Sequence, residues 1–180
     1  DRIGWENTEV TQTECLGVYR TYYTLKEEPL VSIIIPNKDH IDDLKKCLKS
    51  IERCSYKNYE IIIVENNSTE KETFEYYDAI NGEGDKIKVI YWEDVFNYSA
   101  INNYGVEHAK GDYLLFLNND TEILNETCIE ELLGFCMRED VGAVGARLYF
   151  EDGTIQHAGV VVGLGGIAGH IFLNTPSDQV

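Results

Sequence analysis

Apolar and polar positions alternate between short, solid apolar runs and longer segments with one apolar face. Leu30 to Ile35 (LVSIII) is a continuous, largely β-branched run closed by Pro36, the pattern of a strand buried on both faces. Tyr59 to Val64 (YEIIIV) and Tyr113 to Leu117 (YLLFL) repeat that pattern, and Lys86 to Trp92 predicts a further strand between them. Asp42 to Cys54 sets Leu44, Cys47, Leu48 and Ile51 on one helical face. Glu70 to Ile80, Tyr98 to Ala109 and Glu126 to Arg138 also read as helices, the second with Gly111 as its C-terminal stop. Asn81 to Asp85 reads as a turn. Val141 to Phe150 and Thr154 to Val162 are extended segments around Glu151-Asp152-Gly153, a late β-hairpin, and Gly163 to Gly169 is a glycine-rich, mobile stretch. Strand–helix–strand alternation with solid apolar strands predicts an α/β fold, Rossmann-like, with a mostly parallel sheet flanked by helices. Residues 1–29, with Trp5 and the Tyr19 to Tyr23 cluster, are polar and poorly periodic. They read as an N-terminal extension, with the domain occupying 30–180.

Charge narrows the choice of ligand. The 180 residues carry 15 basic and 32 acidic side chains, a net charge of −17. That surface repels nucleic-acid backbones and anionic membranes, so no nucleic-acid partner is expected. A small anionic ligand would need a local device: a cation, a helix N-terminus or a specific basic residue. No apolar run reaches the roughly 20 residues of a membrane helix, so no transmembrane segment is expected. The chain lacks an initiator Met and any basic–apolar leader, and reads as a piece of a longer protein. Five cysteines, Cys15, Cys47, Cys54, Cys128 and Cys136, show no C-x-x-C spacing. They read as apolar helix-face residues in a reducing compartment, not as a zinc or disulfide framework.

In parallel α/β sheets, ligands bind beyond the carboxyl ends of the strands. Pro36 to Asp39, Glu65 to Thr69, Trp92 to Asn97 and Asn118 to Asp120 are all polar, and each follows a predicted strand. These runs carry a resemblance. Ile35-Pro36-Asn37, Val64-Glu65-Asn66-Asn67-Ser68-Thr69 and Leu117-Asn118-Asn119-Asp120 resemble the family-2 glycosyltransferases of GT-A fold. The run FNYSAINNYGVEHAKGDYLLFLNNDTEIL (Phe96 to Leu124), with DGTIQHAG (Asp152 to Gly159), is similar to the bacterial O-antigen and cell-surface polysaccharide subgroup. The resemblance covers about residues 30 to 172.

The resemblance implies a site for a nucleotide-sugar donor, a UDP-, dTDP- or GDP-sugar. Pro36, Asn37, Asp39, Glu65, Asn67, Asn97, Asn102, Asn103, Asn118 and Asn119 are its candidate donor-binding residues. Glu65 stands where the family usually has Asp, and the extra methylene should carry its carboxylate outward to base or ribose. Asn118-Asn119-Asp120 stands in place of the family's D-x-D motif, with Asp120 as the metal ligand for Mg²⁺ or Mn²⁺ and Asn118 either accepting from a ribose hydroxyl or giving the metal a neutral oxygen. The bland alternative for these two is a cap on the next segment. Glu122 is a weaker candidate for the metal, as are the late histidines His157 and His170, which more often serve structure. The implied reaction moves a sugar, with inversion, to a saccharide or lipid-linked acceptor in cell-surface polysaccharide synthesis. The implied setting is cytoplasmic, with the full-length protein at the inner membrane face. In the family the catalytic base comes later than the hairpin, so no base is assigned, and the acceptor part is expected beyond Val180. A non-catalytic nucleotide-sugar-binding domain is the alternative. A dinucleotide-dependent oxidoreductase rests only on Gly163 to Gly169, which does not match G-x-G-x-x-G.

Overall fold

The computed structural model describes residues 8–13, 16–81, 86–164 and 166–177. Trp5, Cys15, residues 82–85 of the expected turn and Gly165 lie outside them. In chain order the elements are β1 (Thr8–Gln12), β2 (Tyr19–Tyr23), β3 (Val31–Asn37), α1 (Ile41–Arg53), β4 (Tyr59–Glu65), α2 (Lys71–Ile80), β5 (Ile87–Tyr91), α3 (Tyr98–Val106), β6 (Tyr113–Phe116), α4 (Cys128–Cys136), β7 (Leu148–Tyr149), β8 (Ile155–His157), β9 (Val160–Val162) and β10 (Ala168–His170). The chain divides into two compact units, one of residues 25–130 and one of residues 1–24 with 131–180.

The first unit is the α/β domain. Its four-stranded sheet has the order β5-β4-β3-β6. All three pairings are parallel, with Val31 opposite both Tyr59 and Tyr113, and Ile61 opposite Ile87. The order reverses between β4 and β6 on either side of β3, which is where such sheets open a crevice for a ligand. The central strands are buried on both faces, as their solid apolar runs require: Ile33, Ile34, Ile35, Ile62, Ile63 and Val64 are fully enclosed. The edge strand β6 departs from that expectation, because Leu114 and Phe116 are 40% and 48% exposed. Its apolar run matched a central strand, but only one side of it is paired.

The helices follow the predicted faces. On α1, Ile41, Leu44, Cys47, Leu48 and Ile51 are buried. One core cluster joins Ile34, Ile62, Val64, Ile90 and Ile101, so α3 lies directly on β3 and β4. Gly105 makes that approach possible, since a Cβ there would stand 2.5 Å from Ile34 Cγ2 and 3.2 Å from Val64 Cγ2.

Gly111 has a different role from the helix stop expected of it. α3 already ends at Val106 with Glu107 as its C-cap. A Cβ on Gly111 would meet backbone, at 2.6 Å from the Leu30 oxygen and 2.7 Å from the Ser32 nitrogen. The Gly111 N–H donates to buried Ser32 Oγ, which donates in turn to Glu60. Gly111→Ala should therefore destabilise this unit by about 2–3 kcal/mol, because neither contacting group is a side chain that can move aside. Urea unfolding measures it; a change within a few tenths of a kcal/mol would contradict the close approach.

The second unit is built from ribbons. β1 and β2 pair antiparallel, Thr8 with Tyr23 through Gln12 with Tyr19, within the stretch that the sequence marks only as a poorly periodic N-terminal extension. The ribbon is largely exposed, so it lacks the apolar alternation that marks a half-buried strand, and its Thr, Val and Tyr content is the signal that remains. Tyr23 packs edge-on to Phe135 at 4.9 Å, and Arg20 pairs with Glu131 at 2.6 Å. The late hairpin is present, shorter than predicted: Val141 to Phe150 contributes only β7, which pairs antiparallel with β8. The described part of the glycine-rich stretch runs from the turn after β9 into β10, and these two strands pair antiparallel. It opens no helix, so the oxidoreductase reading loses its one support.

Candidate functional site

The strands β3, β4, β5 and β6 end in four polar loops, and side chains fasten these loops to one another. After β3 the chain passes through Asp39 and His40, both left-handed at φ 51° and 49°. Two consecutive non-glycine residues in this region cost about 1–3 kcal/mol each, and such strain gathers where surrounding bonds hold it for a function. The holding bonds are visible. Asn37 Nδ2 donates to the Asp39 carbonyl, and the Asp39 N–H donates to Ser68 Oγ. The Asp39 carboxylate accepts from the N–H groups of Thr69 and Glu70 at 2.9 and 3.0 Å, tying the residues just before α2 to a separate loop. Burial works to raise this carboxyl, but those N–H groups and the Thr69 and Thr73 hydroxyls outweigh it and hold it below the usual carboxylate range.

Glu65, at the end of β4, turns inward. The extra methylene does not carry its carboxylate outward but beneath the loop, where the residue is 2% exposed. An enclosed carboxylate needs several donors, and three meet it: the Ser68 N–H, the Ser68 hydroxyl at 2.6 Å and the Tyr77 phenol at 2.8 Å. Tyr77 comes from the buried face of α2. Burial foremost, with the Glu65 charge adding to it, pushes its phenol far above the ordinary value, so it stays protonated and donates. Tyr77 Oη accepts in turn from Asn37 Nδ2 at 2.6 Å, and Asn37 Oδ1 accepts from Asn119 Nδ2 at 2.6 Å. One hydrogen-bonded chain thus crosses the ends of β4, β3 and β6.

The remaining loop is tied in by amides. Asn66 Nδ2 donates to the carbonyls of Trp92 and Asp94, and Asn67 Nδ2 to that of Asp94. Asn97 is the N-cap of α3, its side chain accepting from the Ala100 N–H at 3.1 Å. Asn102 is 5% exposed, and its Nδ2 donates to the Tyr98 carbonyl. Its Oδ1 is buried with no protein partner. An orphaned buried acceptor costs about 1–3 kcal/mol, so this one, unpaired among the described residues, is a strained feature of α3. Tyr98 in turn donates its hydroxyl to Asn118 Oδ1 at 3.3 Å. Asn103, by contrast, is exposed.

Asp120 is exposed just past β6, beside Asn118 and half-buried Asn119. Its charge reaches inward: burial first, then the Asp120 and Glu122 carboxylates, push the Cys47 thiol up to about 12. Cys47 stays a neutral thiol, donating to the Asn118 carbonyl at 3.6 Å. Carboxylate and amide oxygens of the kind that Asp120, Glu122 and Asn118 carry are the ligand type that Mg²⁺ or Mn²⁺ takes together with phosphate oxygens and water. Among the described residues, no cluster of three or more His, Cys, Asp or Glu side chains completes a metal cage. His157 and His170 pair with each other in the second unit, Nδ1 to Nδ1 at 2.9 Å. Cys47, Cys54 and Cys136 are free thiols.

Pro36, Asn37, Asp39, Glu65, Asn67, Asn97, Asn102, Asn118, Asn119 and Asp120 thus occupy the loop ends and adjoining α3 turn of the 25–130 unit. Tyr77, Ser68 and Asn66 complete the network without having been singled out. Tyr77 carried one faint signal: it is a tyrosine, with a polar tip, at a position of α2 where the buried face would accept phenylalanine.

This architecture and these loops have close counterparts among known proteins. The model of glycosyl transferase family 2 matches residues 32–159. The chain is 41% identical over 176 residues to the O-antigen biosynthesis protein RfbC of Myxococcus xanthus, covering 97% of this chain and 14% of that protein. It is 42% identical over 162 residues to the uncharacterized protein y4gI of Sinorhizobium fredii, covering 89% of this chain and 18% of that protein. The chain therefore spans less than a fifth of the length of these relatives. A mannosyltransferase, PcManGT from Pyrobaculum calidifontis in complex with GDP-Man and Mn²⁺, shares the fold, with a TM-score of 0.62 at 16% identity over 69% of this chain and 37% of that one. The fold is of GT-A type, and the chain belongs to glycosyl transferase family 2.

Proposed function

We propose that the 25–130 unit is the donor site of a glycosyltransferase that takes a nucleotide sugar with a divalent cation and passes the sugar to a saccharide or lipid-linked acceptor. The observation that carries this reading is the cross-linking of the loops after β3, β4 and β6 by the Asn119–Asn37–Tyr77–Glu65 chain, with exposed Asp120 next in sequence to Asn119. Side-chain bonds between loops of separate strands hold a site in shape before its ligand arrives. The nucleoside lies over the ends of β3 and β4, near Pro36, Asn37 and Asn67, and the diphosphate lies toward Asn118 and Asp120. Asn97, Asn102 and Asn103 border it from α3.

The cation would be held by Asp120 with the Asn118 oxygen, and when bound it neutralises the diphosphate and eases its departure as a leaving group. The chain's own residues orient the donor and keep the strained loop after β3 in place. The kinship with RfbC favours a surface polysaccharide as the product, made at the inner face of the membrane. Transfer with inversion is the corresponding stereochemistry. Among the described residues no helix is long and apolar enough to cross a membrane.

Calorimetry with UDP, dTDP and GDP tests the reading. At least one should bind in Mn²⁺ or Mg²⁺ with at least tenfold higher affinity than in chelator, because the chain's net charge of −17 opposes an unescorted diphosphate. Equal affinity in chelator would remove the cation from the proposal, and no binding of any of the three would remove the donor site.

A further inference from the structure

The polarity of the hydrogen-bonded chain can be read from its acid end. A carboxylate only accepts. Tyr77 has a single hydroxyl hydrogen and gives it to Glu65 Oε2. Tyr77 Oη must then accept, and the donor is Asn37 Nδ2. That bond and the second one from Asn37 Nδ2, to the Asp39 carbonyl, together fix which way the Asn37 amide faces, so Asn37 Oδ1 is the group met by Asn119. Asn119 must answer with Nδ2, and its own Oδ1 is turned away from Asn37. Amide orientation is ordinarily ambiguous, and here each link determines the next. The sequence order gives no hint of this, since Tyr77 and Asn37 are 40 residues apart and Asn119 and Asn37 are 82 apart.

We propose that Tyr77, with the buried Glu65 behind it, is a positioning residue that orients the Asn119 amide so that Oδ1 accepts a hydrogen bond from the nucleoside part of the donor. Glu65 acts on the nucleoside through this relay and not by touching it. The inference rests on the donor-site reading above. It assigns to Tyr77 a role in recognition, and it gives the enclosed acid at the end of β4 a task. The ligand group is a hydrogen-bond donor, a ribose hydroxyl or a base N–H.

Tyr77→Phe removes the one hydroxyl and leaves the ring in place. In calorimetry of the 180-residue chain with UDP and GDP in Mn²⁺, it should raise Kd roughly tenfold, the loss of one well-placed hydrogen bond. In an Asn119→Ala background, the same change should have no further effect, because the relay then has no end group. The side-chain amide signals of Asn37 and Asn119 in a ¹H–¹⁵N spectrum should shift in Tyr77→Phe, while that of exposed Asn103 stays in place. Glu65→Gln, which can no longer accept at both oxygens, should give the same affinity loss and serves if Tyr77→Phe does not fold. Parallel titrations with the 2′-deoxynucleoside diphosphates locate the ligand donor. A Tyr77→Phe loss that vanishes there identifies the 2′-hydroxyl, and one that persists identifies the base or the 3′-hydroxyl. Unchanged affinity in the folded variants, or additive losses in the double variant, overturns the relay and leaves the donor site standing. A wild-type chain that binds none of UDP, GDP and dTDP overturns both.

Discussion

Asp120→Asn is expected to abolish the gain in nucleoside diphosphate affinity that Mn²⁺ or Mg²⁺ confers, while the domain stays folded. The residue is exposed, so its replacement leaves no cavity and no stranded buried partner. What it removes is charge. Asn118 and Asn119 are neutral, which makes Asp120 the carboxylate of the post-β6 turn, with Glu122 the nearest acid in sequence. Groups that merely support a metal ligand are worth ten- to a hundredfold in affinity. Loss of the ligand carboxylate itself should therefore weaken cation-dependent binding by roughly a hundredfold. Binding in chelator should be unchanged or slightly stronger, since one negative charge near the phosphates is gone. A companion Glu122→Gln separates the two acids. If it carries the larger loss, the cation sits further along the chain. Metal enhancement intact in Asp120→Asn, with a native unfolding transition, would exclude Asp120 from the cation's shell.

The second large effect concerns stability and carries an internal check. Ile34 is wholly enclosed where β3 meets β4 and α3. Ile34→Ala should cost about 4 kcal/mol, a large share of the ~5–15 kcal/mol that holds a domain together. Gly105→Ala should also destabilise, because its new methyl would lie 2.5 Å from Ile34 Cγ2. Together the two changes should be less harmful than their sum, since truncating Ile34 clears the space the Gly105 methyl needs. Urea titration of the four proteins gives the coupling directly. Strict additivity would mean that α3 does not rest on Ile34 as described.

The parts legible from the sequence were those with one dominant physical signal. The solid β-branched runs located β3 and β4 because a strand buried on both faces has no other economical composition. The loops were legible because polar residues directly after such a strand have few other reasons to be there. What escaped was whatever depended on a neighbour distant in sequence. The run of β6 looked central, yet its place in the order is decided by pairing with β3 alone. The ribbon of β1 and β2 is mostly exposed, so no apolar period announced it. Gly111 looked like a helix stop, and only the fold brings the Leu30 carbonyl against it. Glu65 was placed correctly at the strand end but given the wrong direction, because the phenol that draws it inward lies on α2.

The parallel sheet also has a bearing on how the chain reaches its folded state. Strand β6 joins β3 across a span of 82 residues, the separation that also divides Asn119 from Asn37. Contacts so remote close late, because the entropy of a long loop must be overcome before the contact contributes anything. β3 and β4, separated by α1 alone, can associate earlier, and β6 must wait for α2, β5 and α3 to be threaded between. The Asn37–Asn119 bond belongs to that last event. A collapsed intermediate that lacks it would keep much of the native helix and strand signal, yet have no shaped donor pocket. On the donor-site proposal, nucleotide affinity would therefore be a stricter indicator of complete refolding than circular dichroism.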